Sequence, residues 1–239
     1  MLSATQRAFA YRPFDGTDAA VAELGHFELE LGPAHYYRLG SHDYLIAPAT
    51  VLNLGFAREF ELVSDFSQYV GLERVPGESQ VRLANTDILV KWVFRRGKLQ
   101  DASGLSMAIE AGPLLPEING DEGFGLQADV IESYRWPFGA LHLNEQVARS
   151  RLDHLALFGS AILEGPGELT VRPVAELLLT RELELGSVYS ALGGVIWSAA
   201  DELDIDGGLR VAREGGLDAL EVRFGLTWSP RLWTPSTPE

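Results

Sequence analysis

Along most of this chain apolar and polar side chains alternate one for one. In ALEVRFGLTW (219–228), Leu220, Val222, Phe224, Leu226 and Trp228 fall on one side of an extended strand, and Glu221, Arg223, Gly225 and Thr227 on the other. The same period recurs roughly a dozen times with Gly, Pro, Asp or Asn breaks between. HFELELGPAHYYRL (26–39) sets Phe27, Leu29, Leu31 and Tyr37 against Glu28, Glu30 and Arg38, and DYLIAPATVLNLGF and FELVSDFSQY follow it. In RLANTDILVKWVFRR, Ile88, Val90, Trp92 and Phe94 oppose Asp87, Lys91 and Arg95. LSMAIEAGPLL sets Leu105, Met107, Ile109 and Ala111 against Ser106 and Glu110. FGLQADVIESY and ALHLNEQVARS carry Gln127, Asp129, His142 and Asn144 on their polar faces. HLALFGSAIL, LTVRPVAELLLT, SVYSALGGVIWS and LDIDGGLRVAR complete the series, joined by short turns such as EGPGE, RELELG, AADE and REGGLD.

The pattern predicts an all-β chain of about twelve antiparallel strands with no convincing helix between them. Residues 1–25 read as an irregular lead segment, in which TDAAVAELG has the makings of a short helical turn capped by Thr17 or Asp18. Residues 26–228 form the strand region, and 229–239 a Pro-rich tail.

An apolar and a polar face suit two architectures, a soluble sandwich whose apolar faces meet and a membrane barrel whose apolar face meets lipid. Three features favour the barrel. The strands run to about ten residues, the length a tilted strand needs to cross a bilayer. The polar faces carry both charge signs in mid-strand: Glu28, Glu30, Asp87, Lys91, Arg95, Glu110, Asp129, Arg172, Glu176, Asp206, Arg210, Glu221 and Arg223, with His142 among them. A polar lumen accommodates such residues. Tyr37, Tyr44, Phe56, Phe60, Trp92, Phe94, Trp197 and Trp228 stand near strand ends, where an interfacial aromatic girdle belongs. An even strand number also allows closure, which hydrocarbon demands because it cannot solvate a free edge.

Composition narrows the partners. A formal net charge of −15 across 239 residues argues against nucleic acid, which needs a Lys/Arg surplus. The absence of Cys removes disulfides, thiolate metal sites and cysteine nucleophiles together. The opening residues MLSATQRAFAYRPFDG lack a basic stretch followed by an apolar one, so the expectation is either no export or a signal removed beforehand.

Several stretches resemble one known family: YRPFDGTDAAVAELGHFELELGP, APATVLNLGFAREFELV, ANTDILVKWVFR, LSMAIEAGPLLP and GFGLQADVIESYRWPFGALHLN. They are similar to the outer-membrane β-barrel family named for the phenol meta-cleavage degradation pathway. The resemblance covers about residues 11–228 and rests on strand and turn patterns. It implies an up-and-down transmembrane barrel in the outer membrane of a Gram-negative bacterium, a channel for small molecules, aromatic ones among them, with no catalytic residues. It also implies periplasmic termini. By alternation, the links near Arg58, RWPFG, EGPGE and AADE then face the periplasm. RLGSHD, VGLERVPGESQ, EINGDEG, RSRLD, RELELG and REGGLD face outward. Outer loops this short make no deep plug, so any gating falls to the lumen or the lead segment.

A lumen of about twelve strands is narrow, lying between barrels filled by side chains and open porins. Its charges either pair across the interior or line a selective path. Asp87 and Lys91, like Arg172 and Glu176, are four residues apart on one strand, about 13 Å by rise, so their partners are expected on other strands. Catalysis is not expected: His142, Asn144 and serines share polar faces, but no G-x-S-x-G motif occurs. Nor is a metal or cofactor. The histidines at 26, 35, 42, 142 and 154 lack ligand spacing, and the acidic turns NGDEG and DELDID lack the full Ca²⁺-loop pattern. The expected partners are outer-membrane lipid and a small solute; oligomeric state and substrate stay open.

Overall fold

The computed structural model describes residues 12–74, 77 and 79–233; the loop residues Val75, Pro76 and Glu78 and both chain ends lie outside the described residues. It contains thirteen strand segments: β1 (Phe27–Gly32), β2 (His35–Leu39), β3 (His42–Ala57), β4 (Phe60–Gly71), β5 (Val81–Arg95), β6 (Ser106–Leu114), β7 (Gly125–Trp136), β8 (Gly139–Arg149), β9 (Leu155–Glu164), β10 (Val171–Glu182), β11 (Gly186–Ala200), β12 (Leu203–Glu214) and β13 (Leu217–Trp228). Each of β2 to β13 pairs antiparallel with the next, and β13 pairs back with both β1 and β2, so the sheet closes. β1 and β2 share both neighbours, β3 and β13, and therefore make one stave. The protein is thus an antiparallel twelve-strand barrel.

The first stave is split at Gly32-Pro33-Ala34, where Pro33 has no N–H to give to the ladder. Its register against β13 slips there, from Leu31 opposite Leu226 to Leu39 opposite Ala219, one residue more on the first stave than on its partner. That is a bulge, and a one-residue slip moves every later side chain to the other face.

The two faces of the sheet are inside out relative to a soluble protein. On β13, Phe224 is 54% exposed and its neighbour Arg223 9%. Leu177, Val195, Leu209, Val222 and Trp228 are exposed while Lys91, Arg172, Glu176 and Glu221 are buried. A sandwich would bury the apolar set; here the polar face closes on itself and the apolar face looks outward. Outward aromatics gather at the end of the barrel that carries the Arg58–Glu59 turn. Phe56, Phe60, Trp92 and Phe94 form a row with ring centroids 6.0, 5.9 and 6.0 Å apart, and Tyr134, Trp136 and Phe138 a second with 5.9 and 5.4 Å. This is the terminal end, because the chain enters at Gly25 beside Gly55 and leaves through Ser229–Trp233, where Pro230 O accepts the Phe27 N–H. The other is the open end.

The lead segment forms no helix. Residues 12–25 run as coil and turns inside the barrel, and the turn expected in TDAAVAELG gives way because lumen side chains take its backbone groups.

Candidate functional site: the lumen and its lead segment

The lead segment circles the inside of the barrel, touching the wall strand by strand. At β13, Arg223 donates to Pro13 O (2.6 Å) and to the Asp15 carboxylate (2.7 Å). At β12, Arg210 stands 3.3 Å from Asp15. At β10, the N–H groups of Asp15 and Gly16 donate to Glu176 (2.9 and 2.8 Å). At β8, Asn144 accepts the Thr17 N–H (2.9 Å) and donates to Thr17 O (2.8 Å). At β7, Ser133 Oγ accepts the Ala19 N–H (2.9 Å), while Gln100, from the β5–β6 link, donates to Ala19 O (2.6 Å). Lys91 on β5 donates to Thr17 Oγ1 (2.9 Å), and Glu61 on β4 accepts from Ala22 N–H. Ala19 and Val21 also pack on an apolar patch of Val93, Ala108 and Ile131.

Two strand glycines make room for this path. A Cβ on Gly55 would lie 2.2 Å from Glu23 O and one on Gly225 2.2 Å from Arg12 Nε. Interior strand glycines mark just such a close backbone or side-chain approach.

Above the segment, toward the open end, lies a cavity of about 590 Å³. Eleven Asp and Glu residues border it against five Lys and Arg, so its field favours cations over anions. Of the residues expected on the polar face, Glu28, Glu30, Asp87, Lys91, Glu110, Asp129, Arg210, Glu221 and Arg223 border it. Glu30 accepts from Asn53 (3.1 Å), and Glu28 accepts from Ser229 Oγ (2.9 Å) in the tail. Glu176 holds the underside of the lead segment, and Asp206 lies 3.4 Å from Arg12. Lys91 finds its carboxylates across strands, Glu61 at 3.7 Å and Glu110 at 3.6 Å, rather than at Asp87.

Three expected residues sit elsewhere than alternation places them. Arg95 lies beyond a register break after Val93, opposite Met107, and is exposed. Tyr37 turns inward because of the Pro33 bulge: it borders the cavity and donates to Glu214 (2.7 Å). Tyr44, its direct cross-strand partner, shares that face beyond β3's own register break between Ile46 and Ala49, with ring centroids 5.8 Å apart. Phe56, Phe60, Trp92, Phe94, Trp197 and Trp228 remain at the terminal end on the outward face.

Below the lead segment the barrel is filled. His142, Arg172 and Glu164 are buried there, with Arg172 3.6 Å from Asp204. His142 lies 2.8 Å from Ser133 Oγ and 3.7 Å from Glu164, the order of a Ser-His-acid triad. Ser133 and Glu164 do not border the cavity, and Ser133 Oγ also accepts the Ala19 N–H. As placed, Ser133 holds the lead segment at Ala19, with His142 and Glu164 behind it. Glu61, Asp65, Tyr69, Glu164 and Ser133 were not singled out by single-strand alternation, which shows a face but not its cross-strand neighbours.

The chain is similar in structure to the KdgM porin, free and in a complex with disordered oligogalacturonate. In each case the identity is 11%, the match covers 85% of this chain and 98% of that one, and the TM-score is 0.52. The translocator domain of the autotransporter NalP from Neisseria meningitidis matches at 10% identity over 90% of each chain, with a TM-score of 0.46. No family's sequence model matches the chain, and no curated protein does. The similarity to KdgM establishes the fold, a closed antiparallel β-barrel like that of outer-membrane porins.

Proposed function

We propose that this protein is an outer-membrane channel that admits small solutes, with the lead segment as its constriction. The observation that carries the reading is the sidedness of the barrel: charged side chains surround an inner cavity while aliphatic and aromatic ones face outward. With both termini periplasmic, as the family resemblance implies, the cavity opens to the outside and the lead segment closes it toward the periplasm. Passage then takes either a solute small enough to slip past residues 12–25 or a shift of that segment. The acidic balance of the cavity argues against an anionic oligomer such as the oligogalacturonate of the KdgM complex. Aromatic solutes of the kind the resemblance implies find Tyr37, Tyr69 and Phe158 on the cavity wall.

The test is conductance of the detergent-refolded chain in a planar bilayer, with SDS mobility of boiled and unboiled samples to show a closed barrel. Discrete conductance steps from a heat-modifiable species are expected. A protein that folds in water without detergent and shows neither property would overturn the reading.

A further inference from the structure

The opposite sides of the cavity balance their charges differently. On β12 and β13, Arg210 lies near Asp15, Glu214 and Glu221 (3.3, 3.0 and 3.7 Å), and Arg223 near Asp15 and Glu221 (2.7 and 2.8 Å). On β4 to β7 the arrangement is reversed. Asp65 stands directly opposite Asp87, and Glu110 directly opposite Asp129. Like charges in cross-strand register oppose each other. Lys91 is the cation set among them, and it is shared with Glu61 and with Thr17. Arg151, the other cation bordering this side, spends its guanidinium on Leu115 O (2.7 Å) and Thr86 O (2.6 Å).

A second observation points to a missing partner. Asp129 borders the cavity and is only 6% exposed, yet its Oδ1 has no hydrogen-bond partner among the described residues. A buried carboxylate oxygen left in that state is costly unless something neutralises it. Among the described residues no group of three or more His, Asp or Glu side chains could hold a metal ion, so the negative charge is spread along the wall rather than gathered at a point. Toward the open end the same wall carries Tyr69, whose ring meets that of Tyr37 edge-on at 6.4 Å.

From this wall we infer a binding site for a small organic cation, a solute bearing an ammonium or guanidinium group. Its ammonium lies beside the directly opposed Glu110 and Asp129, and its remaining body extends along the wall past Asp87 toward the tyrosines. The cavity volume suits such a guest, since ligand pockets run to several hundred Å³. The inference rests on the channel reading for the solute's route of entry, not for the site itself.

The test uses three probes of one shape and different charge, benzylamine, benzyl alcohol and benzoate, titrated calorimetrically into the detergent-refolded full chain at pH 7 and low salt. Benzylamine is expected to bind about tenfold or more tightly than the alcohol, as a desolvated charge contact would give, and benzoate not to bind. The double variant D87N/D129N is expected to bring benzylamine down to the level of the alcohol, with unboiled SDS mobility showing that the barrel is intact. Equal affinity for the three probes, no binding of benzylamine, or its displacement by equimolar potassium overturns the site. These comparisons use the unmodified protein and decide even if the variant fails to fold. Binding of benzylamine by a protein that never conducts would sink the channel and leave the site standing; conductance without such binding would do the reverse.

Discussion

The β12–β13 wall and the β4–β7 wall enclose one cavity, face the same solvent and are both densely charged, yet they differ in what neutralises them. On the first, Arg210 and Arg223 of the wall and Arg12 of the lead segment are matched by Asp206, Glu214 and Glu221 of the wall and Asp15 of the lead segment. On the second, Lys91 pairs with Glu61 and Glu110, while Asp65 faces Asp87 and Glu110 faces Asp129 across the strands. A matched wall is an anchor, since buried pairs fix geometry and are damaging to break one partner at a time. An unmatched wall spends stability on something other than holding the fold, which is what a site for a charged solute requires.

The largest expected effect tests the anchor. Arg223→Met removes the bonds to Pro13 O and Asp15 and leaves Glu221 buried beside it without its shortest ion pair. Breaking one half of a buried pair costs about 3–5 kcal/mol. The thermal midpoint of the refolded barrel should fall, and conductance should rise as residues 12–18 come loose. An unchanged midpoint would mean that the arginine wall is no anchor. A smaller effect follows from Gly225→Val, which puts a side chain where Arg12 now lies, 2.2 Å from its Nε at the Cβ alone. Overpacking of this kind costs about 1–3 kcal/mol, and because the barrel wall itself is unaltered, the loss should show in lead-segment release, read as proteolysis within residues 12–25, more than in heat modifiability.

Asp87→Asn sharpens the contrast from the other side. It relieves the direct opposition to Asp65, keeps a group able to accept the Asp65 N–H now bonded to Oδ1 (3.2 Å), and breaks no close ion pair among the described residues. The expected change in thermal midpoint is small and upward, within about 1 kcal/mol. A loss as large as that from Arg223→Met would erase the distinction between the walls.

The alternation of ALEVRFGLTW and its counterparts made the barrel legible, because a period of two assigns each side chain to a face and strand length selects lipid for the apolar one. What alternation within one strand does not contain is register. Alternation alone carries Tyr37 on the face of Leu29 and Leu31 through HFELELGPAHYYRL, but in the barrel a one-residue bulge at Pro33 turns Tyr37 from the girdle to the cavity. Lys91 was visible as an inward charge, whereas Glu61 and Glu110 became its partners only once β4 and β6 were laid beside β5. The lead segment was the least legible part, since its backbone is satisfied by side chains more than a hundred residues away in sequence, such as Asn144 and Glu176. One signal was available: Gly225 occupies a polar-face position in mid-strand, and a missing side chain there announces that something passes close by.

The smallest expected effect concerns the point where the lead segment passes between the two walls. Asp18 is fully buried on that segment; its Oδ1 accepts the Ala20 N–H (2.6 Å), and its Oδ2 has no hydrogen-bond partner among the described residues. Burial pushes its carboxyl up to about 7, against the pull of Lys91. A carboxyl whose value is raised by docking favours the docked state fully below its free value, near 4, and loses that contribution progressively as pH climbs to about 7, above which nothing further is lost. Docking of the lead segment should therefore weaken between pH 5 and about 7 and level off beyond it, and the wall carboxylates contribute their own slopes over part of the same range. Comparison with Asp18→Asn isolates this one: the variant keeps an acceptor for Ala20 and cannot titrate, so its proteolytic susceptibility within residues 12–25 should rise less from pH 5 to 8 than that of the unaltered chain. Parallel curves for the two proteins would place the pH response in the carboxylate wall alone and take Asp18 out of it.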